Sequence, residues 1–115
     1  MTITAKMVTI DCADPRQLAS WWADVLGTRV LADYDEFIMV GAGAVVLGFQ
    51  RVPEPKSGKN RVHLDFEADD YESEIERLGG LGATVVTEHS TAGDFRWTIR
   101  RDPEGNEFDV SVSEP

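Results

Sequence analysis

The chain has 115 residues, 42% of them hydrophobic, which is enough for one domain with a sizeable core and too few for two that fold independently. Its 21 acidic residues against 11 basic ones give a formal charge of -10, which repels phosphate backbones and anionic lipid surfaces and argues against nucleic-acid or membrane partners. Cys12 has no second cysteine to pair with, no apolar run is long enough for a bilayer, and no signal-like segment opens the chain, so the expected location is the reducing cytoplasm.

Met7 to Cys12 alternates, with Val8, Ile10 and Cys12 on one face and Met7, Thr9 and Asp11 on the other, the period of a strand. Asp14 then supplies an N-cap, Pro15 a first helical residue, and Gln17 the third position of a capping box. Leu18, Trp21, Trp22 and Val25 form one apolar stripe at helical spacing, and Gly27 is placed to end that helix. At this spacing at least one tryptophan belongs to the core rather than to a ligand platform. Short strands are expected at Arg29 to Ala32, Phe37 to Val40 and Ala44 to Gln50, with Gly41-Ala42-Gly43 joining the last two.

Residues 53–60 are a Pro/Gly/Ser-rich linker, after which the same order begins again. Arg61 to Glu67 reads as a strand with Val62, Leu64 and Phe66 on one face and His63, Asp65 and Glu67 on the other. Asp69-Asp70 caps a helix carrying Tyr71, Ile75 and Leu78 on one stripe, and Gly79-Gly80, each costing about 1 kcal/mol against alanine, stops it near Leu78. Strands follow at Ala83 to Thr87, Phe95 to Arg101 and Glu107 to Val112, with Glu88 to Asp94 as a loop and Asp102-Pro103-Glu104-Gly105-Asn106 as a type I turn. His89, in that loop, is assigned no role.

The two halves match in length: 20 positions separate Met7 from Gly27 and 19 separate His63 from Gly82. Aligning their apolar faces puts Met7 opposite His63 in the repeat. The fold implied is α+β, two βαβββ modules (5–52 and 61–113) that pair into a curved mixed sheet around a cavity lined by the polar strand faces.

Over residues 5 to 113 this pattern resembles the glyoxalase/bleomycin-resistance/dioxygenase family, the vicinal oxygen chelate superfamily, and especially its small bacterial glyoxalase-like members. The resemblance rests on Asp14 with Trp21-Trp22-Ala23-Asp24-Val25-Leu26-Gly27, on His63 to Asp70, on Asp102 to Asn106 before the final strand, and on the internal repeat. That superfamily hosts isomerases, epimerases, dioxygenases, thiol transferases and drug-binding proteins, so the likeness implies the fold more strongly than an activity. Its metal-dependent members take ligands from the first strand of each module and from the last strand of one or both. Carried onto this chain, the positions are Met7, His63, a place near Gly48, and Asp109. Methionine is a soft ligand and glycine has no side chain, so only His63 and Asp109 suit a hard or borderline ion, and a divalent metal is disfavoured. Gln50, Asp65 or Glu107 would have to complete the set.

Without a metal, His63 beside Asp65, Glu107 and Asp109 has the composition of a general acid/base cluster, with His63 and Asp109 as the catalytic pair. The same acids would also bind a basic or hydroxylated ligand, with Met7, Thr9, Gln50, Asp65, Trp97 and Glu107 lining the site and Phe95 or Phe49 as further apolar wall. Ser111 and Ser113 lack a histidine in register to make them nucleophiles. The expected function is therefore binding of a small organic molecule, a cation among the candidates, by a cytoplasmic homodimer. The alternative is a lyase or isomerase of the glyoxalase type, metal-assisted or using His63 and Asp109.

Overall fold

Asp14 accepts the Gln17 N–H at 3.1 Å, Pro15 opens the helix, and Gly27 closes it in the left-handed conformation at φ 64°. The helix so bounded, α1 (Pro15–Leu26), buries Leu18, Ala19, Trp22 and Val25. It lies over β3 (Phe37–Ala42) and β4 (Val45–Arg51), whose Ile38, Val40, Leu47 and Phe49 are almost wholly buried. Trp22 is the core tryptophan, and Trp21 meets it edge to face at 5.1 Å from a half-buried position.

The computed structural model describes residues 2–113 and divides between Lys56 and Ser57 into two compact units. In the first, β1 (Met7–Cys12) pairs parallel with β4, and β2 (Val30–Asp33) completes the mixed sheet in the order β1-β4-β3-β2. The second repeats this topology with β5 (Leu64–Ala68), α2 (Tyr71–Gly80), β6 (Thr84–Ser90), β7 (Arg96–Arg101) and β8 (Glu107–Val112), ordered β5-β8-β7-β6 with β5 parallel to β8. The fold is thus α+β, two βαβββ modules. Among the described residues no helix is long and apolar enough to cross a membrane.

Several elements depart from their sequence-predicted bounds: β2, β4 and β7 are displaced or shortened by one residue, β3 runs on through Gly41 and Ala42, which were expected in the connection, and three more differ for reasons their contacts show. β5 starts at Leu64, not Arg61, because the Asn60 side chain takes the partner that a longer strand would need: its Oδ1 accepts the Glu107 N–H at 2.9 Å and its Nδ2 donates to the Glu107 carbonyl at 3.2 Å. His63 therefore sits one residue ahead of the strand, and Val62 is exposed. α2 runs past Leu78 to Gly80, since N–H groups of Leu81, Gly82 and Ala83 satisfy its last carbonyls at 3.0 to 3.1 Å while Leu78 and Ala83 stay buried. β6 continues through Glu88, His89 and Ser90, paired with Thr98, Trp97 and Arg96; a register shift between Val85 and Thr87 hides the alternation, and polar residues suit an edge strand.

The rear of the second sheet is less apolar than that of the first. Thr98 and Arg100 are buried there, with Arg100 Nε donating to Thr98 Oγ1 at 3.1 Å and its guanidinium reaching Glu88 at 3.3 Å. The turn before β8 is built on buried Asp102, whose carboxylate accepts the N–H groups of Glu104 and Asn106, each at 2.9 Å.

Candidate functional site

Pairing of β5 with β8 sets Asp65 directly beside Asp109. His63 reaches into this pair from just ahead of β5, with Nδ1 at 2.9 Å from Asp65 Oδ1 and 4.0 Å from Asp109 Oδ1. Burial first, and then the neighbouring Asp65 charge, push the Asp109 carboxyl above the ordinary carboxylate range, with His63 and Lys59 acting in the opposite direction. The same register continues across the sheet, placing Ser111 beside Trp97 and Trp97 beside His89. A depression of about 340 Å³ opens on this face, lined by Asp65, Phe66, Phe95, Trp97, Asp109 and Ser111. Carboxylates and aromatic rings thus share one small concavity, which can hold a positively charged group against acids and an apolar body against rings.

Glu107 does not line the depression, although its charge adds to the upward push on Asp109. Its side chain is largely buried, with Lys59 at 4.0 Å and Arg101 at 3.5 Å, so two cations already answer its charge. Ser111 lines the depression while its hydroxyl donates to the Val112 carbonyl at 3.0 Å. Phe49 is buried in the first unit and forms no wall, whereas Phe95 and Trp97 do, with their rings 5.7 Å apart.

The remaining sequence-predicted positions belong to the first unit. Thr9 is exposed on β1 and pairs with Gly48. The Gln50 amide donates to the carbonyls of Glu36 and Arg51, both at 3.3 Å, and is thereby turned to local backbone. Met7 and Phe37 close over Gly48: a Cβ added there would meet the Phe37 ring at 2.7 Å and Met7 Sδ at 2.8 Å. Glycine is needed at position 48 because two side chains occupy the space above it.

That packing bears directly on a metal. In the first unit the two positions that would supply ligands offer a thioether and no side chain, with an aromatic ring over the gap, and these do not fit a hard or borderline divalent ion. In the second unit, His63, Asp65 and Asp109 bring potential donor atoms within 4.8 Å of one another. Such a group has a second use, since exposed acids beside an imidazole form an acid/base and cation-attracting cluster with no ion present.

His89 is the residue that sequence reasoning missed. In β6 its ring stacks on that of Trp97, with centroids 4.7 Å apart and planes inclined at 17°, and its Nε2 is hydrogen-bonded to Thr87 Oγ1 at 2.8 Å. The Thr87–His89 alternation was the available signal, obscured by the bulge and by the polarity of the segment.

The model of the glyoxalase-like domain matches residues 7–111 of the sequence. None of the proteins with curated descriptions matches it significantly. Solved structures similar to the chain include the genomically encoded fosfomycin resistance protein FosX of Listeria monocytogenes, at a TM-score of 0.82 and 12% identity over 99% of this chain and 96% of that one. A glyoxalase/bleomycin resistance protein/dioxygenase family enzyme of Burkholderia phytofirmans aligns at 0.80 and 20% identity, covering 93% and 96%. Lactoylglutathione lyase of Agrobacterium tumefaciens aligns at 0.74 and 16% identity, covering 98% and 96%. At these identities the likeness establishes a shared fold.

Proposed function

Because the chain belongs to the glyoxalase-like domain family, we propose that it binds a small organic cation on the Asp65–Asp109 face of its second unit, without the two-module metal centre. The observation that carries this reading is the depression in which Asp65 and Asp109 stand beside Trp97 and Phe95. Glu107 already faces Lys59 and Arg101, while among the described residues the Asp65–Asp109 pair has its close basic contact in His63, with Lys59 acting on Asp109 at longer range, so a ligand's ammonium group would relieve the pair's mutual repulsion. Similar folds include a fosfomycin resistance protein and an enzyme of the glyoxalase/bleomycin resistance protein/dioxygenase family, so binding of a small organic molecule suits this scaffold.

The test is an NMR titration with two probes of matched shape and opposite charge, benzylamine and benzoate. Benzylamine should perturb β5, β7 and β8 and bind more tightly; equal binding of both, or preference for benzoate, contradicts the reading. Asp109→Asn should weaken benzylamine about ten- to a hundredfold, the loss of one charge-assisted interaction worth about 1.5–3 kcal/mol.

A second reading, acid/base catalysis, is favoured by the 4.0 Å approach of His63 to Asp109 and by the raised Asp109 carboxyl. It requires turnover whose pH profile loses a group in His63→Gln; unchanged turnover there dismisses it. The working form we propose is a cytoplasmic homodimer, supported by exposed Val30 and Leu31 on edge strand β2 and exposed Val85 on edge strand β6.

A further inference from the structure

The acids account for a charge but not for the shape of what carries it, and the aromatic side of the depression supplies that. Trp97 and Phe95 line the concavity, whereas His89 does not line it and instead covers Trp97 from the neighbouring strand. His89 and Trp97 are direct partners across the β6–β7 ladder, so their side chains leave the sheet on the same face. Their planes depart from parallel by only 17°. Two features hold the imidazole in that attitude: the backbone ladder through His89, and the 2.8 Å hydrogen bond between its Nε2 and the Thr87 hydroxyl. An indole on a sheet face has two broad χ choices, and a ring fixed against it removes much of that freedom before any ligand arrives.

Resting on the binding reading above, we infer that His89 is a positioning residue that pre-sets the Trp97 indole as a flat wall, and that the site's ligand class is a planar aromatic cation rather than an aliphatic one. The carboxylates of Asp65 and Asp109 receive the ammonium or amidinium end, while Trp97 and Phe95 receive the ring. Hydrophobicity alone would favour a saturated ring of equal size, which has no π-face and carries more apolar hydrogen surface. A preference for the planar ring therefore reports stacking.

Benzylamine and cyclohexylmethylamine, equal in charge and nearly equal in size, separate these contributions. The wild-type protein should bind benzylamine at least threefold more tightly. His89→Ala should erase that preference, weakening benzylamine about three- to tenfold with little change for cyclohexylmethylamine, and His89→Phe, which keeps a ring over the indole, should restore it. The near-ultraviolet circular dichroism of Trp97, taken as wild type minus Trp97→Phe, should change in His89→Ala and return in His89→Phe, a signature that does not depend on any ligand. Equal binding of the two amines by the wild-type protein, or a His89→Ala protein that keeps the preference, overturns the inference while leaving cation binding intact. Loss of selectivity for amine over benzoate, or no binding of either amine, overturns the binding reading and the inference with it.

Discussion

Asp109 carries two opposed effects in one side chain. Partial burial and the Asp65 charge make its ionised form costly, yet that ionised form is what a cationic ligand needs. Since the folded protein holds the Asp109 proton more tightly than the unfolded chain, ionisation costs stability at neutral pH, and the cost disappears as the pH falls below the ordinary carboxylate range. Asp109→Asn should consequently raise the melting temperature at pH 7 by a few degrees at most, on the order of 1–3 °C, with no gain near pH 3 in a thermal melt. The same sign governs binding: affinity for benzylamine should decline as the pH falls through the raised Asp109 range, since Asp109 loses its charge. At Gly48 the residue-scale argument is steric. Gly48→Ala forces back the ends of Met7 and Phe37, side chains with some freedom to move, so chemical denaturation should show a loss of about 1 kcal/mol, smaller in a Met7→Ala background.

At the scale of elements, what was legible in the sequence was whatever local chemistry dictates. Asp14, Pro15, the Leu18–Trp22–Val25 stripe and Gly27 fixed α1 to within a residue, and the repeat followed from the strand alternations on either side. What was not legible depends on partners distant in the chain. Asn60 ends β5 early by bonding to Glu107, 47 residues away, and nothing near Arg61 announces this. Asn60→Ala should cost about 1–3 kcal/mol, because it leaves part-buried backbone groups of Glu107 unpaired. Trp22→Ala, which empties the centre of the α1 interface, should cost about 3–5 kcal/mol in the same assay. The candidate site divides in the same way. His63, Asp65 and Trp97 were named from strand parity and Asp109 from the family resemblance as well; the bulge-free β5–β8 and β7–β8 ladders keep Asp65, Asp109 and Trp97 on one face, whereas His89 lay beyond the bulge in β6 and Glu107 was claimed by Lys59 and Arg101.

For the whole molecule, the repeat supplies two units of one topology with different surfaces. The first unit has an apolar closure of Met7 and Phe37 over Gly48 at the positions that the family resemblance implied as metal ligands, and the second concentrates acids and aromatic rings on one sheet face. The charge of -10 favours approach of cations over a long range and predicts that association with benzylamine slows and weakens as salt rises from 20 to 300 mM. Under the proposed function the second unit's carboxylates, not a bound metal, select the ligand. That selection is tested most directly by titrating chelator-treated wild-type and Asp109→Asn protein with benzylamine and following the amide resonances of β5, β7 and β8. Affinity should be unchanged after chelation and should fall about ten- to a hundredfold in the variant. Binding that vanishes on chelation and returns with added divalent ion, or that survives Asp109→Asn unaltered, would contradict selection by the carboxylates.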